Sequence, residues 1–313
     1  MHALIRLEDE RKSCGILADF VPSVTLNQGL LTSDMEIHSP AKINLFLHIT
    51  GKREDGYHTL ESLMCAIGLH DTLRLNFKAD HISIVCDHPH VPENNSNLAA
   101  KAAHLFFKTA GIDSGVKISI TKRIPVAAGL GGGSSNAAAV LRGLNHYFGN
   151  RFSITELTRM GEKLGADVPF FISGKPAIAT GIGECLEPYN NLNPWHLIVI
   201  YPGFCVSTAE VYNRLNLRLT NCKKDFKYSR FKTQGVDISR YLSNDLETVT
   251  PFMFPEISEV KRALSEQGAA GVLMSGSGPS VFGLFMNAEE ARNAYHTLSR
   301  HKKWHACLTE LII

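Results

Sequence analysis

From Pro125 to Ala139 the chain reads Pro-Val-Ala-Ala-Gly-Leu-Gly-Gly-Gly-Ser-Ser-Asn-Ala-Ala-Ala. Glycines at 129, 131, 132 and 133 run into two hydroxyls and a string of helix formers. Glycine accepts positive φ and lets a backbone approach a ligand closely, while three in succession weaken any regular element. Ser134, Ser135 and Asn136 supply N-cap chemistry, and Ala137 to Asn145 continues as helix. The first amides of a helix lack internal partners and sit at the positive end of its dipole, which suits an anion, above all phosphate. A flexible loop before an ordinary helix is the plain alternative, but the glycines are too dense between two periodic elements for it. The loop is not a Walker A, because no Gly-Lys-Ser/Thr follows. It is not a dinucleotide fingerprint, since Ser134 stands where the third glycine belongs, and no Gly-x-Ser-x-Gly occurs. What remains is a phosphate cradle without a P-loop lysine.

Three other segments carry candidate chemistry. In Ser39-Pro-Ala-Lys-Ile-Asn-Leu, Lys42 and Asn44 share one face of a strand. A lysine in an apolar strand needs a partner, unless it guards a sheet edge. In Gly165-Ala-Asp-Val-Pro-Phe-Phe, Asp167 is a lone carboxylate among apolar residues, which on its own reads as a turn cap. Met274-Ser-Gly-Ser-Gly-Pro-Ser280 is a second glycine-rich loop between strands, a weak signal alone. His88, His90, His301 and His305 lack completing ligands and read as surface histidines. Residues 54–58 read as a turn.

These residues need elements to position them. Strands are expected at 43–49, 60–67, 72–77, 82–86 and 116–122, with a helix from about Asn97 to Ala110. Ser153-x-x-Glu156 is a capping box opening a helix to Leu164, and Ser207-x-x-Glu210 caps another reaching Asn216. The strand 196–201 follows the first of these helices, and the C-terminal part alternates: helix 256–267, strands 271–275 and 280–285, helix 288–300, strand 305–312. The class is α+β, with two sheets each carrying helices on one face. At 313 residues there is room for two domains. Residues 1–35 are expected to be a poorly ordered extension, with Met35 a plausible true start, and 221–234 an exposed loop. Hydrophobic content of 44%, charged content of 20% and a net charge of +2 fit a soluble protein that is no dedicated nucleic-acid binder. No apolar run is long enough to span a membrane. Seven dispersed cysteines without a C-x-x-C pair suggest reduced thiols.

Pro40-Ala-Lys-Ile-Asn-Leu, Pro125 to Ala138 and Ser275-Gly-Ser-Gly-Pro-Ser resemble the three signature motifs of the GHMP kinases. Gly51-Lys-Arg-Glu-Asp-Gly-Tyr-His58, Gly165 to Phe170 and Ser243-Asn-Asp-Leu-Glu247 narrow the likeness to a branch whose acceptor carries a cytidine diphosphate group. It runs from about residue 36 to the C-terminus.

The resemblance implies a two-domain α+β fold: a ribosomal-protein-S5-like nucleotide domain over 36–185 and a ferredoxin-like α/β sandwich over 186–313, with the site between them. It implies transfer of the ATP γ-phosphate, with Mg²⁺, to the 2-hydroxyl of a methylerythritol moiety in non-mevalonate isoprenoid synthesis. Asp167 would be the base and Lys42 its charge partner. The stretch Pro125, Val126, Ala127, Ala128, Gly129, Leu130, Gly131, Gly132, Gly133, Ser134, Ser135 would hold phosphate, with Ser134 or Ser135 near the metal and Glu156 and Glu162 as further metal candidates. Asn97 and Lys122 match residues near adenosine. Tyr57 would stack on cytosine, His58 would bond its edge, and Tyr212 with Thr208 would lie on the other side. Asn44 would touch the methylerythritol part, and Gly276, Ser277 and Gly278 the substrate phosphates. The implied setting is the bacterial cytoplasm, with a plastid less favoured. The protein would be a monomer or weak homodimer without nucleic-acid or membrane partners.

Overall fold

Alternating apolar residues, beginning with buried Met35 and Ile37, make the first strand 19 residues long. The computed structural model describes residues 34–216 and 237–313; the expectations for 1–33 and 221–234 lie outside them. Strand β1 (Asp34–Lys52) pairs antiparallel with β2 (His58–Asn76) along its length. There follow β3 (Ile82–Cys86), α1 (Leu98–Ala110), β4 (Val116–Thr121), α2 (Gly132–Tyr147), α3 (Ile154–Glu162) and α4 (Val168–Ser173). Next come β5 (Ala177–Thr180), β6 (Cys185–Pro188), β7 (His196–Tyr201), α5 (Thr208–Arg214) and β8 (Ser243–Asn244). The chain closes with α6 (Thr250–Met253), α7 (Glu256–Glu266), β9 (Gly271–Met274), β10 (Val281–Phe285), α8 (Ala288–Leu298) and β11 (His305–Ile312).

The sequence pattern suggests two strands across 60–77, but β2 is continuous. Its register with β1 slips between Ala41↔Ile67 and Pro40↔His70, so Gly68 and Leu69 are absorbed as a bulge and bend the strand instead of breaking it. The expected pair of sheets is also corrected. Among the described residues one eleven-stranded sheet runs β3-β4-β2-β11-β7-β10-β9, with β1, β5, β6 and β8 joined off that path. Strand β11 makes the connection, because it pairs with β7 over His305–Glu310 and then with β2 through Leu311 and Ile312.

Three apolar clusters hold the layers together. One lies between the N-terminal strands and α1, α2 and α4, around Leu73, Phe106, Leu141 and Phe170. A second, around Ile43, Phe46, Leu130, Phe282 and Leu311, lies beneath the glycine loop and the central strands. The third packs α7 and α8 on β7 and β10 through Ile200, Val260, Leu264 and Leu298. Burial of each such large side chain contributes about 1.5–3 kcal/mol. No helix among the described residues is long and apolar enough to cross a membrane.

Candidate active site

The two glycine loops, the middle of β1, and the starts of β2, α4 and α5 surround a cleft of about 1110 Å³. Lys42 reaches it from β1. Its backbone amide donates to Leu130 O at 2.9 Å, tying the strand to the glycine loop. Its ammonium donates to Asn44 Oδ1 at 2.7 Å and lies 3.7 Å from Asp167 Oδ2. Asn44 is fixed in turn by donating to Ser62 Oγ, which donates to Phe46 O. Lys42 is therefore no guard of a sheet edge, being 5% exposed and paired.

Asp167 precedes α4, but its side chain caps nothing. Pro169 in the first helical turn and the buried Phe170 and Phe171 start this helix without a side-chain cap, so the carboxylate is left facing Lys42. The expected turn is in fact a short helix.

The glycine loop presents its two sides differently. Six successive carbonyls are bonded by the protein: Val126 by Cys205 Sγ, Ala127 by Val206 N, Ala128 by Ser280 N and Gly129 by Ser275 Oγ. Leu130 accepts from Lys42 N and Gly131 from Ser135 N. Among the described residues, no amide from Val126 to Ser134 donates a hydrogen bond within the protein. A row of backbone donors with bonded carbonyls behind it needs an external acceptor.

Gly131, at φ 70°, is the N-terminal cap of α2 and makes no side-chain cap bond. This corrects the expectation that Ser134, Ser135 and Asn136 cap the helix. The helix starts at Gly132, ahead of all three, and the serines fall in its first turns. Gly131 must be glycine, since a Cβ would lie 3.0 Å from Lys42 Cγ and from two ring carbons of Phe171.

At the other end of the cleft His58 is buried and its ring lies 5.3 Å from that of Tyr212, while Tyr57 is 61% exposed at the rim. Burial, and then the Lys52 charge, holds the His58 imidazole below the ordinary histidine range. Burial, and then the Asp167 charge, pushes the Tyr212 phenol upward. Thr208 and Ser277 join hydroxyls at 2.8 Å, linking α5 to the second glycine loop.

The cleft wall thus gathers Lys42, Asn44, Tyr57, His58, Asn97, Lys122, Pro125 through Ser134, Asp167, Thr208, Tyr212, Gly276 and Ser277. Four expected residues, Ser135, Gly278, Glu156 and Glu162, are not in it. Ser135 is buried on the far side of α2's first turn, its Oγ 2.7 Å from Ser39 Oγ, and faces a small separate cavity. Gly278 spends its amide on Ser275 O in the turn and packs toward Met274. Asn97 lines the wall with both polar ends occupied, capping α1 through Ala99 N and donating to Pro92 O. Glu156 closes its own capping box with Ser153. Sequence reasoning missed Leu47, Leu60, His90, Val91, Pro92, Ala166, Ile182 and Gly183, which also line the cleft. Of these, Gly181-Ile-Gly183 between β5 and β6 carried a readable turn signal, whereas the apolar positions carried none.

Comparison with known proteins identifies the family. The model of the GHMP kinases N terminal domain matches residues 97–175, and that of the GHMP kinases C terminal matches 225–303. The chain is 48% identical over 273 residues to a 4-diphosphocytidyl-2-C-methyl-D-erythritol kinase of Syntrophotalea carbinolica, covering 87% of this chain and 97% of that protein. It is 44% identical to the kinase of the same name from Geobacter metallireducens, covering 86% and 96%. A crystal structure of a 4-(cytidine 5'-diphospho)-2C-methyl-D-erythritol kinase superposes with a TM-score of 0.76 at 36% identity, over 89% of this chain and all of that one. Paired lysine and aspartate, open amides and sequence kinship converge: the chain is a GHMP kinase and belongs, within that superfamily, to the 4-diphosphocytidyl-2-C-methyl-D-erythritol kinase family.

Proposed function

We propose that this kinase transfers the γ-phosphate of ATP to the 2-hydroxyl of 4-diphosphocytidyl-2-C-methyl-D-erythritol, a step of non-mevalonate isoprenoid synthesis. The observation that carries the reading is the placement of the Lys42–Asp167 pair beside the unbonded amides of the glycine loop. In such a transfer Asp167 accepts the proton of the 2-hydroxyl as its oxygen attacks the γ-phosphorus, and the bond to the bridging oxygen of ADP breaks. Lys42, oriented by Asn44, offsets the charge developing on the acceptor oxygen. The amides of Val126–Ser134 receive the phosphate oxygens, which supplies charge stabilisation without reorganisation.

His58 and Tyr212, with Tyr57 at the rim, suit a flat, hydrogen-bonding base, and a cytosine edge offers one donor beside two acceptors. A neutral imidazole matches such an edge with one donor and one acceptor. Thr208, Ser277 and Gly276 lie where the diphosphate of the acceptor would pass. The described residues offer no protein cage for magnesium, since no three His, Cys, Asp or Glu side chains gather as ligands, and Ser135 and Glu156 are turned to other bonds. An ion accompanying ATP takes its ligands mainly from phosphate oxygens and water. Free thiols at Cys65, Cys86, Cys185 and Cys205 support a reducing, cytoplasmic setting.

The test is ADP release measured with the cytidine acceptor, mevalonate or homoserine. Turnover is expected with the first alone, and equal turnover of mevalonate would overturn the assignment. Asp167→Asn should lower kcat by about 10²–10⁴-fold while ATP binding persists.

A further inference from the structure

We infer that Asp71 is a positioning residue for ATP: it holds the Lys122 ammonium at the mouth of α2, giving the phosphate loop the cation its own motif lacks. The inference rests on the ATP-binding part of the proposed function and extends it to a residue outside the signature motifs.

Asp71 is fully buried in β2. Its Oδ2 lies 2.5 Å from Lys122 Nζ, and its Oδ1 accepts from Arg123 N and Ile124 N, each at 2.9 Å. One carboxylate therefore fixes three consecutive residues just after β4, immediately before the glycine loop. The backbone amide of Lys122 is held separately, by Asp87 Oδ1 at 2.8 Å. With both ends held, the side chain, 6% exposed, is directed into the cleft, and its Nζ lies 3.1 Å from where a Cβ on Gly132 would stand. That is the first residue of α2, beside the open amides. An ammonium there faces the phosphates of a nucleotide seated on the loop.

A buried ion pair is poor evidence of a stabilising role, because desolvation cancels much of the attraction and an apolar pair often does as well. What the pair does supply is a fixed direction for a flexible lysine, at a place where direction matters. Burial alone does not require the carboxylate to reach the ammonium and two amides at once.

The test compares Asp71→Asn, Lys122→Met and the double variant in the full chain. ATP affinity is measured by calorimetric titration, KM for both substrates by kinetics, and folding by thermal melting. Asparagine keeps an oxygen for the two amides and removes the counter-charge. Each single variant is expected to weaken ATP about tenfold and to leave the KM of the cytidine acceptor within twofold. The double variant should bind ATP no more weakly than Lys122→Met, because Asp71 acts through Lys122, yet melt above Asp71→Asn, because no unpaired charge remains buried. Wild-type ATP affinity in Asp71→Asn, or losses that multiply in the double variant, would overturn the inference. Should Asp71→Asn not fold, the double variant against Lys122→Met decides by the same criterion. The titration needs no acceptor, so failure of the acceptor assignment leaves this result readable.

Discussion

Lys42 carries its charge into a nearly closed strand, and the polar groups that answer it are Asn44 and Asp167. Lys42→Met preserves length and apolar packing but removes the charge facing the reacting oxygen. Its kcat should fall about 10²–10³-fold with the melting temperature little changed, measured by steady-state kinetics and calorimetry. His58 gives a pH signature. Its folded state binds a proton less readily than the unfolded chain, so its contribution to stability is present above the ordinary histidine value of about 6.5 and is lost as pH falls below it. Protonation also removes the acceptor nitrogen that a cytosine amine needs. The KM of the cytidine acceptor should stay level down to about pH 6.5 and rise in more acid solution, with the KM of ATP flat. His58→Gln, which offers a donor and an acceptor but does not titrate, should abolish that acid limb; a limb surviving in it would assign the titration elsewhere. Lys42 and Asp167 were legible because each is out of place in its own segment. His90 and Ile182 were not, because nothing local marks a residue that reaches the cleft only through tertiary packing.

At the scale of elements, the phosphate loop is shaped from behind. The carbonyls of Val126 through Gly129 are bonded by residues of the C-terminal half, and Gly129 touches the second glycine loop backbone to backbone. A Cβ on Gly129 would lie 2.1 Å from Ser275 O, at a φ of 77° that L-residues rarely adopt. Gly129→Ala should therefore cost several kcal/mol or force the loops apart, seen as a large drop in melting temperature together with weaker binding of both substrates. Gly133 is the control. It lies inside α2, where a Cβ would meet Leu98 Cδ1 at an ordinary 3.6 Å, so Gly133→Ala should raise stability by about 0.5–1 kcal/mol. Equal effects at the two positions would mean that the loops are not interlocked as described. The same logic explains what the sequence hid. Ser153-x-x-Glu156 announces α3 because its cap is local, and the structure forms that box. The start of α2 is displaced from the serines because Gly131, wedged against Lys42 and Phe171, makes the turn before the serine side chains are reached. Helix α4 is hidden because Asp167 on its own reads as a turn cap, and Pro169 is well placed in a first turn whose amide has no partner.

At the scale of the molecule, the last strand decides whether the chain behaves as one body. Strand β11 pairs with β7 over six residues and then, through Leu311 and Ile312, with Ile67 and Ala66 of β2. Successive residues of a strand face opposite ways, so Leu311 enters the cluster beneath the glycine loop while Ile312 enters the cluster under α2. The Ile312 carbonyl also accepts from Cys65 Sγ at 3.3 Å. The run 305–312 is plainly a strand in the sequence, but its partners are not: an alternating pattern states which face is buried and is silent on which sheet receives it. That silence is why two sheets were expected where one is found. Removing residues 311–313 deletes the β11–β2 ladder and both anchors without touching the cleft, at a cost of about 3–6 kcal/mol from the two buried side chains. Calorimetry of the intact chain should show a single transition, and the truncated chain an earlier and broadened or divided one. The two halves of the site lie on opposite sides of this seam, with Lys42, Asp167 and the first glycine loop on one and Tyr212 and Ser277 on the other. Truncation should therefore raise the KM of the cytidine acceptor, which spans the seam, more than the KM of ATP. A truncated chain that melts and binds like the intact one would show that the halves are held together by their glycine loops and core contacts, and that the shared strand is incidental to the site.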